Sequence, residues 1–306
     1  MTTKALPRLF SLGVEIDTSP ETFGFLREST DAVDSPSMLR EHMANDGYIY
    51  LRGFWARDEV VETRLSILRQ LKDKGFIDQS APLAKGKCIA DKDAGRAFGN
   101  PLDQKDPAVN RLLYGDRMMS FFESLLGGPA AHFDFTWFRT KGPGYGSAAH
   151  CDIVYMGRGT SDLYTAWTPL DDIELELGGL IILEDSHKKR DVLKAYLEKD
   201  VDTYCVNKPE AERSPSGKKP FDGALSKDVS RLQKKLGGRW LTAEYSMGDL
   251  VIFGMATVHA GLDNQTNRIR LSTDSRYQLA SNPIDERWVG ESPVGHGAAM
   301  KRGRIC

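Results

Sequence analysis

The chain has 306 residues, 40% hydrophobic and 27% charged, with a formal net charge of −2, a composition that describes a globular domain large enough to bury a full core. Its longest apolar runs, Leu180-Ile181-Ile182-Leu183 and Leu250-Val251-Ile252-Phe253, fall far short of the roughly 20 residues a membrane helix needs. Charges of both signs are interspersed, which excludes the electrostatic footprint of a nucleic-acid binder and leaves a small molecule as the expected partner.

The amino terminus carries no apolar run of the length a secretory signal requires, so a cytoplasmic location is expected. Ser35-Pro36 supplies an N-cap and a first-turn proline for a helix that ends at Gly47. Gly47-Tyr48-Ile49-Tyr50-Leu51 reads as a strand. A second helix starts near Asp58, with Val60, Val61, Leu65, Leu68 and Leu71 at helical spacing, and stops at Gly75. Asp106-Pro107 opens a third, which runs to Gly127-Gly128. From about residue 131 the period shortens to two, with strands predicted at His132 to Arg139, Ala149 to Met156, Leu163 to Leu170, Gly179 to Leu183, Trp240 to Tyr245, Asp249 to Gly254 and Arg268 to Gln278.

This order predicts an α+β fold in one domain over 1–306: a mainly helical lead over 1–130, a jelly-roll core over 131–280, and a tail over 281–306. A polar segment over 188–238 interrupts the strands with two short predicted helices, Asp191 to Glu198 and Lys227 to Leu236, and reads as a lid or substrate-contacting excursion. The four cysteines, Cys88, Cys151, Cys205 and Cys306, form no CxxC pair, so free thiols are expected rather than a disulfide framework or a zinc site.

His150-Cys151-Asp152 places an imidazole and a carboxylate two residues apart. On a strand, such residues project from one face and reach a common point. His259, after the apolar strand ending at Phe253, is the best-placed third ligand. Two histidines and one carboxylate leave three coordination positions open, which suits Fe(II) that must hold a bidentate oxoacid together with O2. Beyond a short turn, Arg268, Arg270, Ser272, Asp274 and Arg276 share one face of the next predicted strand. An arginine pointing inward from that face would pair bidentately with the far carboxylate of 2-oxoglutarate.

His150-x-Asp152, the stretch Ala166 to Asp172, the run Gly178-Gly179-Leu180 through Asp185-Ser186-His187-Lys188, and His259 followed eleven residues later by Arg270 resemble the phytanoyl-CoA dioxygenase family. The resemblance runs from about Met38 to Arg276. It implies a double-stranded β-helix, Fe(II), 2-oxoglutarate as cosubstrate and O2, with His150, Asp152 and His259 as metal ligands and no catalytic side chain beyond the metal centre. By the same resemblance Arg270 holds the 5-carboxylate and Trp167 lines the cosubstrate pocket. His187 is read as structural, and Gly261 stands where some members carry a serine. Arg139, Tyr155 and Arg158 flank the metal motif and are the candidate substrate contacts. The implied activity is hydroxylation, or another oxidation, of an unactivated C–H bond with release of succinate and CO2. A cupin-like isomerase or hydrolase using another metal, or a ligand-binding homologue without turnover, stays open as the alternative.

Overall fold

The computed structural model describes residues 6–89, 102–205 and 221–305. Near the amino terminus lie β1 (Leu9–Ser11), β2 (Val14–Ile16) and β3 (Phe23–Phe25). They are followed by α1 (Pro36–Asp46), β4 (Tyr48–Leu51), α2 (Arg57–Asp73), α3 (Pro107–Tyr114) and α4 (Asp116–Leu126). α1 starts on Pro36 and stops where Gly47 takes a left-handed φ of 78°, a conformation that glycine adopts without a Cβ penalty. Asp106 caps α3 by accepting from the Ala108 and Val109 amides. The single third helix expected from the sequence is two helices, because the backbone at Gly115 is extended.

The core strands are β5 (Ala130–His132), β6 (Trp137–Lys141), β7 (Ser147–His150), β8 (Leu163–Pro169) and β9 (Leu180–Leu183). After β10 (Thr203–Cys205) come β11 (Trp240–Thr242), β12 (Leu250–Gly254), β13 (His259–Gly261) and β14 (Arg270–Leu279), and the tail ends in β15 (Arg302–Arg304). Among the described residues, one sheet runs β3-β11-β9-β13-β7 and the other β4-β12-β8-β14-β5, with β6 also pairing β14. This is the expected α+β jelly roll. The predicted strand from His132 to Arg139 is two strands, and the one from Ala149 to Met156 ends at His150 and passes into a helical turn, α5 (Ile153–Met156).

Strict alternation builds the layers. Tyr48, Tyr50, Trp167, Val251 and Phe253 face Leu180, Ile182 and Leu241 between the sheets. The residues between them, such as Ile49, Leu51, Ala166, Leu250, Ile252 and Leu271, pack outward under the helical lead. Each fully buried aliphatic side chain contributes about 1.5–3 kcal/mol. On the far side, Ile181, Leu183, Val258 and Ala260 pack against α6 (Arg190–Leu197) and the Val229–Leu236 helix. The 188–238 excursion is therefore partly core-forming, and its 206–220 stretch lies outside the described residues. The tail returns to it through parallel pairing of β15 with β10. Cys88 and Cys151 are buried free thiols, whereas Cys205 is disulfide-bonded; this corrects the expectation of free thiols throughout, and Cys306 lies outside the described residues. No helix among the described residues is long and apolar enough to cross a membrane.

Candidate metal centre and its two chambers

β13 lies antiparallel to β7 with His259 directly opposite His150, so sheet register alone brings the two imidazoles to a ring separation of 4.2 Å. Asp152 arrives differently. It sits past the end of β7 with helical dihedrals, φ −65° and ψ −25°, so the shared-face argument for a strand does not apply to it. Its position is set by partners on the opposite sheet. Thr165 Oγ1 donates to Asp152 Oδ2 at 2.5 Å, and Arg276 donates to the same oxygen at 3.0 Å. Thr165 and Arg276 are themselves cross-strand neighbours on β8 and β14.

With Oδ2 held, Oδ1 lies 3.7 Å from Nε2 of both His150 and His259. Three donor atoms, one from each residue, lie within 4.8 Å of one another. His150 Nδ1 donates to the Ala148 carbonyl at 2.8 Å and His259 Nδ1 to the Thr257 carbonyl at 3.1 Å, which leaves both Nε2 lone pairs facing the carboxylate. Burial, then the neighbouring His259, brings the His150 pKa down to about 3. Burial likewise lowers that of His259. At Asp152 burial pushes upward, but Arg276 and the two histidines outweigh it and hold the carboxyl below its ordinary range. Neutral imidazoles beside an ionised carboxylate are the protonation states that a divalent cation requires. The set fits Fe(II), and it contains no thiolate to favour a softer ion.

One chamber opens on the side of His150 and His259 and runs between the sheets, lined also by Trp167, Lys141, Arg270 and Gly261. Arg270 and Lys141 are cross-strand partners on β14 and β6, and both are buried, at 2% and 3% exposure. Like charges placed directly opposite on a sheet repel. Arg270 donates to Ser272 Oγ at 2.5 Å, yet its Nε and the Lys141 Nζ have no hydrogen-bond partner. Burial, with Arg139 adding to it, lowers the Arg270 pKa to about 10. Burial, then Arg270 and Arg139, hold the Lys141 amine well below the lysine range. Two desolvated basic groups with orphaned donors thus face one cavity, an arrangement that suits an anionic ligand. A Cβ on Gly261 would lie 2.6 Å from Ser147 Oγ and 2.8 Å from Lys141 Nζ, so this chain fills with those two side chains the space that a serine would need.

The second chamber opens on the side of His150 and Asp152 and has a volume of about 360 Å³. Arg139 borders both chambers, locked to Asp274 through Nε at 2.7 Å and a terminal nitrogen at 2.5 Å. Tyr155 lines the second chamber, and its hydroxyl donates to the Asp222 carbonyl at 2.8 Å. Arg158 lines neither. Its guanidinium binds Asp200 and the Met300 carbonyl, both at 2.6 Å, because the helical turn of α5 carries it toward the tail. His187 is away from the metal cluster, packed over Gly47 and hydrogen-bonded to the Ala44 carbonyl at 3.1 Å, the structural place expected of it.

Residues 43–272 match the family model described as phytanoyl-CoA dioxygenase (PhyH). The chain belongs to this family. Its class is that of the iron- and 2-oxoglutarate-dependent oxygenases. Among solved structures, it is similar to apo EctD from S. alaskensis, with 16% identity, 97% of this chain and 98% of that one covered, and a TM-score of 0.55. It is also similar to SnoN, the non-heme alpha-ketoglutarate-dependent epimerase of nogalamycin biosynthesis, at 19% identity, 85% and 93% coverage and a TM-score of 0.53. The carbocyclase SnoK of the same biosynthesis follows at 18%, 85% and 89%, with a TM-score of 0.52. At these identities the likeness is one of fold. No curated protein sequence matches the chain.

Sequence reasoning did not single out Lys141, Thr165 or the anchoring role of Arg276. A signal for Lys141 was present: Trp137, Arg139 and Lys141 alternate along β6 as Arg270, Ser272 and Asp274 do along β14.

Proposed function

We propose that this oxygenase holds Fe(II) through His150, Asp152 and His259, binds 2-oxoglutarate in the inter-sheet chamber, and oxidises an unactivated C–H bond of a small molecule in the second chamber. The supporting observation is the pairing of Arg270 with Lys141: two buried basic groups with unpartnered donors, beside the His pair, suit a ligand with one carboxylate at the metal and another at depth. Arg270, with its planar fork, takes the far carboxylate, Lys141 Nζ lies within reach of the same cavity, and Trp167 forms its apolar wall. Iron bound at the triad supplies O2 activation, coupled to decarboxylation of 2-oxoglutarate to succinate and CO2 and to cleavage of the substrate C–H bond. The protein contributes the rest. Thr165 and Arg276 aim the Asp152 carboxylate, and the two carbonyl-anchored histidines present neutral Nε2 atoms.

The supporting chemistry is specific to a chelating oxoacid. Anaerobic addition of Fe(II) and 2-oxoglutarate to the metal-free protein is expected to produce the weak visible charge-transfer absorption of the chelate, and O2 then releases succinate even without substrate. Absence of both, with zinc or manganese supporting turnover instead, transfers the site to a metal-dependent isomerase or hydrolase. The acceptor site itself points to hydroxylation or a related oxidation rather than halogenation, since Asp152 fills the position a halide would take.

A further inference from the structure

The segment that carries two of the three metal ligands is held from outside its sheet. β7 ends the strand order at one edge of the five-stranded sheet, and the excursion covers that edge. The Ala149 amide donates to the Ser226 carbonyl at 2.9 Å, and the Ala149 carbonyl accepts from the Leu225 amide at 2.8 Å. Two residues on, just past the end of the strand, the acceptor changes from backbone to side chain. Cys151, the residue between His150 and Asp152, donates its amide to the hydroxyl oxygen of Tyr196 at 3.0 Å.

Tyr196 lies on α6 and is buried, packed with Ala149, Cys151 and Val154. A phenol carries one hydrogen. Here it goes to the Gly223 carbonyl at 2.7 Å, so the Cys151 amide is received on the lone pair of the same oxygen. Tyr155, on α5, donates to the adjacent Asp222 carbonyl at 2.8 Å. Gly223 allows this close approach: its φ is 86°, and a Cβ there would run into the Tyr155 ring. Asp222 and Ala224, on either side of it, line the second chamber. One buried hydroxyl thus joins α6, the wall of that chamber and the peptide that links His150 to Cys151.

The backbone around Asp152 is pinned at each end. His150 is paired with His259 across β7 and β13, and the Ile153 amide donates to the Met255 carbonyl at 3.1 Å. Between these two points the Tyr196 hydroxyl holds the turn. Resting on the iron and 2-oxoglutarate reading above, we infer that Tyr196 is a positioning residue for the metal centre, fixing through the Cys151 amide the backbone from which His150 and Asp152 project, and so linking the excursion to iron binding. Without the hydroxyl, the Cys151 amide and the Gly223 carbonyl each lose a partner in a buried setting. The peptide then gains freedom to rotate, and the two ligands hold their common point less firmly.

The test uses the full-length protein and Tyr196→Phe, which keeps the ring and removes the hydroxyl. In the metal-free wild type, hydrogen exchange followed by NMR is expected to show a protected Cys151 amide. In the variant that amide should exchange about tenfold faster, the worth of one hydrogen bond, while the Ala149 amide stays protected. Anaerobic Fe(II) titration, well below the melting temperature, should show binding about tenfold weaker, the low end of the cost of losing an outer-shell partner. The charge-transfer absorption of the chelate with 2-oxoglutarate should shift in position. Leu193→Ala, which trims a buried apolar side chain of the same helix, is expected to lower the melting temperature and leave iron affinity unchanged. A Cys151 amide that exchanges freely in the wild type, iron affinity and absorption unchanged in Tyr196→Phe, or an equal loss of affinity in Leu193→Ala overturns the inference. A wild type that takes up no Fe(II) and gives no charge-transfer absorption sinks the iron and 2-oxoglutarate reading itself, whereas a normal wild type beside an unaffected Tyr196→Phe removes the role of Tyr196 alone.

Discussion

The two chambers meeting at His150 are built from different parts of the chain. The anion chamber is lined by residues of paired strands: Lys141 on β6, His150 on β7, Trp167 on β8, His259 on β13 and Arg270 on β14. Hydrogen-bond register fixes those positions, and a slip of one residue would turn every side chain to the other face. The second chamber borrows Trp137, Arg139 and His150 from the strands but is closed by Tyr155, Val201, Asp222, Ala224 and His296. These come from α5, the excursion and the tail, where the chain can change without disturbing a sheet. On the proposed reading, the cosubstrate sits on the rigid part and the substrate against the adaptable part, so changes confined to one chamber should leave the other's ligand untouched.

The largest effect is expected at the junction. Asp152→Ala removes the only carboxylate among the three ligands and strands Arg276; bound iron, measured by elemental analysis, and succinate release should both fall to background. Arg270→Ala confines the damage to the anion chamber. The loss of a desolvated charge-assisted pair costs about 2–4 kcal/mol, so the half-saturating 2-oxoglutarate concentration should rise roughly 30- to 1,000-fold while iron content is retained. Unchanged cosubstrate dependence would remove Arg270 from this role.

Lys141→Met sharpens the comparison because it has opposite signs in two states. In the free protein it replaces a buried amine with an unpartnered Nζ opposite Arg270 by an apolar side chain, so the melting temperature should rise. With 2-oxoglutarate present the stabilisation by ligand should shrink, through affinity about tenfold weaker. A lower melting temperature in both states would mean that Lys141 is merely structural. The smallest effect concerns pH. His150, lowered to about 3, and His259, also lowered, are neutral in the metal-free fold, whereas unfolded imidazoles titrate near 6.5. Below that value the unfolded chain binds protons the native one does not, so stability declines as pH falls. Calorimetry of the metal-free protein from about pH 7 to about pH 5 should show a falling midpoint, and a flat profile would show that the pair is not held neutral.

Period and spacing in the sequence already carried the layered architecture. Apolar runs in Tyr48 to Leu51 and Leu250 to Phe253 marked strands, alternation named both faces of the β14 segment, and Pro36, Gly47 and Asp106 marked helix ends through local backbone chemistry. The three metal-competent residues were legible from the short HxD motif and the histidine after an apolar strand, although the strand geometry invoked for Asp152 does not hold, and Arg270 was singled out only through the family resemblance. What lay beyond reach was non-local. That Asp152 is aimed by Thr165 and Arg276 depends on three segments meeting across two sheets. The cation opposite Arg270 depends on the register of β6 against β14. The diversion of Arg158 to the tail depends on the Met300 carbonyl, 142 residues away in sequence, and the seating of His296 depends on Asp202, 94 residues away. Local rules act over one turn or one strand; the order in which strands pair is decided only when the whole core closes, and that closure placed Lys141 opposite Arg270, the carboxylate's anchors and the wall of the second chamber.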